Sequence, residues 1–309
     1  MANILVVGSA NMDVIASLSR LPHPGETILI ENIRLANGGK GANAAVAAAR
    51  LGANARFLGA VGEDAFGAAL RRGLENNGVD CRWLQTAAGS SGTAIILLNQ
   101  ITGQNSILVG PGANFCFTLP PTDEAFHWAD AVMLQLEIPL SIAQEAAARA
   151  KKAGKLVVLD PAPAQADLPA EFLRLCDVIS PNESELAILT GQAIDSPSAA
   201  KAAAVSLLAR SGGRVVVKMA EKGSLWCEQQ TCRHYPAFAV KAIDTTAAGD
   251  AFTAALTLGL CAGKTPAESM RLALAAGALT CTRLGAQPSL PHRAEVENFL
   301  ASQTEYNFS

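Results

Sequence analysis

Short apolar segments that alternate with alanine-rich segments restrict the fold of this chain more than any other feature. The apolar segments are rich in Val, Ile and Leu, and most of them end in or near Gly, Pro, Asp or Asn. This pattern predicts strands that are covered on both faces, as in a parallel sheet. The segments are ILVVG (residues 4–8), ARFLGAVG (55–62), AVMLQLE (131–137), LVVLDPAP (156–163), DVISPN (177–182) and RVVVKM (214–219).

The alanine-rich segments have the composition of helices. They are GANAAVAAARLG (41–52), DAFGAALRRGLENNG (64–78), PLSIAQEAAARAKKAG (139–154) and SPSAAKAAAVSLLARSG (196–212). A strand followed by a helix, repeated along the chain, predicts an α/β sandwich with a parallel central sheet. No linker, repeat or low-complexity segment divides the chain, so we expect one domain over residues 1–309.

Two regions interrupt this rhythm, residues 13–36 and residues 92–109. Both carry polar and β-branched residues around turn-like sequences, HPGE (23–26) in the first and ITGQN (101–105) in the second. These features predict a small antiparallel sheet that projects from the main body. Such a sheet could form a lid over a site or a surface for dimerisation.

Composition excludes some classes of partner. The net charge is −3 and only 17% of the residues are charged, so no basic surface for nucleic acid or an anionic membrane is indicated. No apolar segment reaches the length of a membrane span, and the N-terminus does not resemble a secretory signal. We therefore expect a cytoplasmic protein that acts on a small molecule. The seven scattered cysteines include no CxxC pair, which favours reduced thiols over a disulfide framework or a zinc site.

The segment DTTAAGD (244–250) precedes the apolar run AFTAALTLGLCAG (251–263), which predicts a buried helix. Unpaired N–H groups at a helix N-terminus form a ready anion site, and small residues at Ala247, Ala248 and Gly249 allow a ligand to approach them. Asp250 would then lie where it can accept a proton from an attacking hydroxyl, as phosphoryl transfer requires. The alternative is that Asp250 only caps its helix.

Three further segments carry candidate ligand groups. NGGKGAN (37–43) places paired glycines, Lys40 and Asn43 at the start of a helix. It is not a Walker A loop, because Arg34 and Gly41 stand where a glycine and a Ser or Thr are needed. A turn followed by a helix start explains this segment equally well.

The other two segments follow predicted strands. In GSANMD (8–13), Asn11 and Asp13 would lie on the same side of an extended chain and could bind vicinal hydroxyls. In PNESE (181–185), Asn182 and Glu185 share one helical face and could hold hydrated magnesium. Asx turns and a simple helix N-cap are the competing explanations for these two segments.

In their order and spacing, the four segments together resemble the ribokinase-like, or PfkB, family of sugar kinases over essentially the whole chain. DTTAAGD is the most specific of the matches, and RLGAQPSLP (283–291) is similar to the ribokinase branch. The resemblance implies a ribokinase-like α/β fold, a three-layer sandwich with a projecting β-sheet lid. It also implies ATP-dependent phosphorylation of a sugar hydroxyl, which in the ribokinase branch is O5 of D-ribose.

Site residues follow from the resemblance position by position. Asp250 would be the catalytic base, and the amides of Ala247, Ala248 and Gly249 would form the anion hole. The sugar would be held by Asn11, Asp13, Gly39, Lys40, Asn43 and Glu137. Asn182 and Glu185 would act at the ATP phosphates and Mg²⁺, and Gly223 would lie in the turn over the nucleotide. A monovalent cation, K⁺, would be bound at Asp244, Thr246, Thr280, Arg283, Gly285 and Ser289, several of them through backbone carbonyls.

The chain departs from the family pattern at two places near the nucleotide. Lys218, Met219 and Ala220 replace a Thr-Leu-Gly-like turn, and Leu274 stands where many relatives carry Asn or His. A lysine there would either bind phosphate or indicate a different nucleotide preference.

The resemblance predicts a ribokinase that transfers phosphoryl to a primary hydroxyl. The alternating pattern of the lid segments, residues 13–36 and 92–109, indicates a homodimer in which two projecting sheets cross. The alternatives are a kinase for deoxyribose, another sugar or a nucleoside, and a catalytically silent sugar-binding protein.

Overall fold

The computed structural model describes residues 1–30, 32–99, 105–229 and 231–303. This part of the chain contains thirteen strands and ten α-helices. The strands are β1 (Asn3–Val7), β2 (Asn11–Leu18), β3 (Ile33–Gly38), β4 (Asn54–Gly62), β5 (Asp80–Ala87), β6 (Gly92–Asn99), β7 (Asn105–Gly110), β8 (Ala131–Leu134), β9 (Leu156–Leu159), β10 (Val178–Ile179), β11 (Arg214–Lys218), β12 (Ser224–Glu228) and β13 (Thr231–Tyr235).

The helices lie between these strands and at the C-terminal end. They are α1 (Lys40–Arg50), α2 (Ala65–Asn76), α3 (Glu124–Trp128), α4 (Leu140–Lys152), α5 (Ala170–Leu175), α6 (Glu183–Thr190), α7 (Pro197–Ser211), α8 (Ala248–Cys261), α9 (Pro266–Thr280) and α10 (Arg293–Ser302). Each of the six strands and four helices predicted from the sequence is present.

The main sheet has nine strands in the order β13-β12-β11-β10-β9-β8-β1-β4-β5. The seven strands from β11 to β5 in this order are parallel to their neighbours. Strands β12 and β13 form an antiparallel edge beside β11. Alternate residues of β1 enter two different apolar layers, Ile4 and Val6 on one face and Leu5 and Val7 on the other. The predicted α/β sandwich with a mostly parallel central sheet is therefore confirmed.

A second sheet has four strands in the order β3-β2-β6-β7. Its outer pairs are antiparallel, but β2 and β6 run parallel, so the sheet is mixed and not wholly antiparallel as expected. The two strands come from distant parts of the chain, and no local turn signal fixes their relative direction. The HPGE segment does form a turn, closed by a bond from the Glu26 amide to the His23 carbonyl. That turn lies within the long connection between β2 and β3, and most of ITGQN lies outside the described residues.

The expectation of reduced thiols is wrong for two cysteines. Cys227 and Cys232 lie directly opposite each other on β12 and β13, with Cα atoms 4.1 Å apart, and a disulfide joins them. Their pairing depends on the register of a hairpin, which their spacing in the sequence does not reveal. The other five cysteines in the described ranges are free thiols.

Polar residues collect at the carboxyl ends of the parallel strands, where ligands bind in open α/β sheets. Ser9 follows β1, Glu137 follows β8, Asp160 follows β9, Asn182 follows β10, and Lys218 ends β11. Over the four described ranges, no helix combines the length and the apolar character needed to cross a bilayer.

Candidate active site

The N-terminus of helix α8 provides free amides beside a buried carboxylate. Ala247 adopts a left-handed conformation (φ 62°) that turns the chain into the helix. The Ala248 amide donates to the Thr245 carbonyl at 3.2 Å, whereas the amides of Ala247 and Gly249 have no acceptor among the described residues. Two unpaired donors at the positive end of a long helix favour an anion at this point.

Asp250 lies in the first turn of α8 and is only 5% exposed. Asn43 Nδ2 donates to its Oδ2 at 2.9 Å, and Lys40 Nζ lies 4.0 Å from its Oδ1. Burial raises the pKa of Asp250 to about 6, although Lys40 and the bond from Asn43 act in the opposite direction. The carboxylate is therefore mostly ionised near neutral pH and can accept a proton.

Glu137 organises the polar groups on one side of Asp250. Its Oε2 accepts from Ser9 Oγ at 2.5 Å, from the Lys40 amide at 3.0 Å and from Asn11 Nδ2 at 3.3 Å. Gly39, which precedes Lys40, has a φ of 89°, and a Cβ there would lie 2.6 Å from the Asn11 amide. Only glycine allows these two segments to approach so closely.

Asn11 and Asp13 both lie on β2, two residues apart, so their side chains are on the same face as predicted. Asn114 Nδ2 donates to Asn11 Oδ1 at 2.7 Å, which fixes the orientation of the Asn11 amide. Burial, together with the nearby carboxylates of Glu137 and Asp250, raises the pKa of Asp13 to about 7. A buried carboxylate near two others is poised to accept hydrogen bonds from hydroxyl groups.

On the other side of Asp250, a cavity of about 790 Å³ extends between β11, α8 and α9. Its charged and amide-bearing lining residues include Lys40, Asp160, Asn182, Glu185, Lys218 and Asp250. Its apolar lining residues include Ala237, Val240, Phe252, Leu274 and Ala278. A cavity that offers both charged and apolar walls fits an amphiphilic ligand such as a nucleotide.

Asn182 and Glu185 form a capping box at the start of α6. Asn182 Oδ1 accepts from the Glu185 amide at 2.8 Å, and Glu185 Oε2 accepts from the Asn182 amide at 2.8 Å. The helix-cap explanation therefore describes their contacts, although both residues also line the cavity. Gly223 lines it too, with φ 90°, and a Cβ there would collide with the Tyr235 carbonyl at 2.1 Å.

Asp244 joins two loops beside the anion site. Its Oδ1 accepts from the amide and the hydroxyl of Thr246, and its Oδ2 accepts from the Gly285 amide at 2.8 Å. Burial alone would raise the pKa of Asp244, but these hydrogen bonds lower it overall, so the group is ionised.

The remaining residues expected at the cation are placed around these loops. Thr280 and Ser289 are fully buried, and their hydroxyls donate to the carbonyls of Ala276 and Ala286. The Arg283 guanidinium pairs with Glu295, so its side chain is engaged away from Asp244. In the described part of the chain, no three His, Cys, Asp or Glu side chains lie close enough to form a metal site by themselves.

The structure adds three residues to the site that the sequence motifs did not single out. Ser9 and Asn114 orient Glu137 and Asn11, and Asp160 forms an ion pair with Lys218 in the wall of the cavity. Ser9 directly follows the predicted strand segment 4–8, and Asp160 directly follows the apolar residues of segment 156–163, which was a usable signal. Asn114 lies far from every motif, and its sequence context carries no such signal.

Comparison with known proteins agrees with this geometry. A family model described as pfkB family carbohydrate kinase matches residues 1–293. The ribokinase of Haemophilus influenzae is 39% identical over 302 residues, which cover 96% of this chain and 98% of that protein. A deoxyribokinase of Salmonella typhi is 36% identical over 303 residues, which cover 97% of this chain and 99% of that protein.

A solved structure has the same architecture. The structure of Arabidopsis thaliana ribokinase complexed with ribose and ATP matches with a TM-score of 0.90 at 36% identity, covering 97% of this chain and 98% of that one. The resemblance drawn from the sequence motifs is thereby confirmed. The chain belongs to the pfkB family of carbohydrate kinases, enzymes that transfer a phosphoryl group to an alcohol group of a sugar.

Proposed function

We propose that this kinase transfers the γ-phosphoryl group of ATP to the primary hydroxyl of D-ribose, forming D-ribose 5-phosphate and ADP. The observation that carries the proposal is the position of Asp250. It lies beside the free amides of α8, between the polar cluster around Glu137 on one side and the cavity on the other. A sugar and a nucleotide bound at these two places would meet at its carboxylate.

Each group in the site has a defined task in this reaction. Asn11, Asp13, Asn43 and Glu137 would bind the sugar hydroxyls, and the bidentate capacity of their side chains suits a polyol. The sugar oxygen attacks the γ-phosphorus while the bond from that phosphorus to the β-phosphate oxygen breaks. The hydroxyl proton passes to Asp250 as the new bond forms, and the electron pair of the broken bond remains on ADP.

The anion hole would stabilise the charge on the transferring group. The amides of Ala247 and Gly249 are free to donate, and the Ala248 amide can exchange its contact with Thr245 for a phosphoryl oxygen. Because the free amides of Ala247 and Gly249 are held at the start of α8 without an acceptor to give up, they need little reorganisation during the reaction.

The residues present suit both cations that the family resemblance implies. Hydrated Mg²⁺ accompanying the ATP phosphates would be held near Asn182 and Glu185, which line the cavity and offer amide and carboxylate oxygens. A monovalent cation, K⁺, would lie at Asp244 and the carbonyl groups of the 280–289 loop, an oxygen-only donor set beside the anion hole. When bound, these ions supply positive charge that offsets the charge of the phosphates.

The second sheet supports a proposal for a lid and a homodimer. Leu35, Val14, Ile95 and Leu108 are cross-strand neighbours in register, so they form one row on one face. Leu35 and Leu108 are each 57% exposed and Ile95 is 45% exposed, whereas Asp13 lies on the opposite face and is buried. The inner face would close over the sugar, and the outer apolar row would pack against a second copy of the sheet.

We place the reaction in the cytoplasm, because it consumes ATP. No partner among nucleic acids or membranes is proposed. Deoxyribose is the second candidate substrate, and the similarity to the Salmonella deoxyribokinase favours it over other sugars. A sugar-binding protein without turnover is the alternative from another class.

A panel assay tests the proposal. ADP release would be measured with MgATP and KCl in the presence of D-ribose, 2-deoxy-D-ribose, other pentoses, hexoses and nucleosides. We expect the highest kcat/KM with D-ribose. A higher value with deoxyribose would transfer the assignment to that sugar, and binding of ribose without ADP release from any compound would establish the silent binder.

A further inference from the structure

Lys218 is the charged residue among the positions where the sequence analysis found a departure from the family pattern, and it lines the cavity. It ends β11, and its side chain is only 13% exposed. Its Nζ lies 2.9 Å from Asp160 Oδ2, and the Asp160 side chain is 3% exposed. Both residues line the cavity, so a buried ion pair lies in its wall.

The ammonium group also lies against the anion site. A Cβ built on Gly249 would be 3.4 Å from Lys218 Nζ, so the ammonium group borders the space beside Gly249 that a side chain there would occupy. Lys218 is also one of the charges that lower the pKa of Asp250. Lys40 approaches the same carboxylate from the sugar side, at 4.0 Å. Two ammonium groups therefore flank the point where a phosphoryl group would pass.

The hydrogen bonding of the pair is incomplete in the described part of the chain. An ammonium group has three donors, and Asp160 is the only hydrogen-bond acceptor that Lys218 Nζ contacts there. Asp160 Oδ1 is buried and has no partner among the described residues, and the contact of Oδ2 with Thr253 Oγ1 is long at 3.5 Å. Burying an ion pair is costly in free energy when its remaining donors and acceptors have no hydrogen-bond partner. A purely structural ion pair would therefore be expected to have a fuller set of hydrogen bonds.

We propose that Lys218 binds the β- and γ-phosphate oxygens of ATP and that Asp160 positions it for this contact. The inference rests on the proposed kinase function and assigns a phosphate ligand that the family motifs do not include. The phosphate oxygens would supply acceptors for the unused ammonium donors. Asp160 would hold the ammonium group at the free amides of α8, where it can neutralise charge on the transferring phosphoryl group.

Four variants separate a phosphate contact from a structural ion pair. Lys218→Met keeps the length of the side chain and removes its charge, and Asp160→Asn removes the carboxylate. The double variant removes both charges and leaves no unpaired charge buried, so it is the variant that should fold even where a single one does not. Lys222→Met is the matched control, because Lys222 lies in the adjacent turn and pairs with Glu183 at the surface.

The first readout is steady-state turnover with MgATP and D-ribose. We expect Lys218→Met and the double variant each to lose about 100-fold in kcat/KM for ATP, the size found when one donor to a developing anion is removed. The KM for ribose should stay within about twofold, and Lys222→Met should behave as the unaltered chain. Recovery of kcat/KM in the double variant would overturn the proposal, because it would show that the pair matters only for the fold.

The second readout is binding of ADP and of adenosine by calorimetry, which does not require turnover or a known sugar. We expect the double variant to bind ADP about tenfold more weakly and adenosine equally well, because only ADP carries phosphates. An equal loss for both ligands, or no loss for either, would overturn the assignment. Turnover by the unaltered chain separates this result from a failure of the proposed function, which would appear as no ADP release with any sugar.

Discussion

Asn43 Nδ2 donates a hydrogen bond to Asp250 Oδ2 at 2.9 Å, although 207 positions separate the two residues in the chain. The bond connects the first turn of α1, which follows the glycine segment, with the first turn of α8, which follows the DTTAAGD segment. Each of these two motifs taken alone can be explained as a helix start, but a buried hydrogen bond joins them in the structure. A carboxylate that only capped α8 would not need an amide from a distant helix.

Replacement of Asp250 by Asn should strongly reduce catalysis without unfolding the protein. Asparagine can keep a hydrogen bond with Asn43 but cannot accept the proton, so we expect kcat to fall by about 10²–10⁴-fold, the contribution of a general base. In the unaltered enzyme, the base must be ionised, so kcat/KM should rise with pH and reach its plateau above the pKa of about 6. Initial rates from pH 5 to pH 8 measure this profile. A pH-independent rate over that range, or an active Asp250→Asn enzyme, would rule out Asp250 as the base.

Replacement of Asp13 by Asn should stabilise the fold at high pH. The pKa of Asp13 is raised from 3.8 to about 7 on folding, so the folded chain holds the proton more tightly and folding becomes less favourable as pH rises between these values. At about 1.4 kcal/mol for each pH unit, the gain in the free energy of unfolding should be about 2–3 kcal/mol larger at pH 8 than at pH 5. Urea unfolding at both pH values measures it, and weaker sugar binding should accompany the gain.

Asp64 is the matched control, because folding lowers its pKa whereas it raises the pKa of Asp13. Burial alone would raise its pKa, but hydrogen bonds from Ser91 and Gly67 lower it overall, so its ionised form stabilises the fold. Asp64→Asn should therefore lower stability at pH 8. A loss of stability in Asp13→Asn at pH 8 would contradict the electrostatic account of the sugar site.

Replacement of Glu185 by Gln should separate its two roles. Glutamine can also close a capping box, so helix α6 and the melting temperature should change little. The Mg²⁺ concentration for half-maximal activity should rise by about tenfold, because a neutral amide attracts the hydrated ion less strongly. A Mg²⁺ titration at fixed ATP measures this shift. An unchanged midpoint would leave Glu185 as a helix cap alone.

Replacement of Asp244 by Asn should reduce activation by potassium. An asparagine has one acceptor oxygen, so it cannot serve both Thr246 and Gly285, and it removes the negative charge proposed to attract the cation. Rates are measured against KCl concentration, with N-methylglucamine chloride keeping the ionic strength constant. The variant should need more KCl for half-maximal activation than the unaltered enzyme, or should not be activated by KCl. Asp195→Asn, at an exposed position outside the site, is the control. Equal KCl curves for the two variants would count against a cation at Asp244.

Replacement of Leu108 by Lys should convert a dimer into a monomer. Leu108 is 57% exposed in the outer apolar row of the second sheet, and a charge there would be buried without a partner if two sheets packed together. Light scattering after size exclusion, at micromolar concentration, measures the mass. Leu29→Lys is the control, since Leu29 is 98% exposed and lies outside the strands. A monomeric unaltered chain would end the dimer proposal.

The sequence by itself determined the secondary-structure elements and the kinds of functional group available to the site. A strand such as Arg214–Lys218 is apolar because both faces of the sheet are buried, and a helix such as Pro197–Ser211 repeats small apolar residues because one of its faces is buried. Both patterns are local, so they can be recognised in the sequence. The position of Asp250 at the start of an apolar helix was likewise readable, because helix starts have local signals. The order of four motifs was enough to identify the family.

Only the tertiary structure decided which of these groups meet. The parallel pairing of β2 with β6, the bond between Cys227 and Cys232, and the ion pair of Lys218 with Asp160 all depend on register or on contacts between distant strands. Local sequence patterns do not encode such contacts, since the same strand fits its neighbours in several arrangements until the whole sheet is packed. The pKa values of Asp13 and Asp250 depend on burial and on charges brought in from elsewhere in the chain, so they too are properties of the folded molecule.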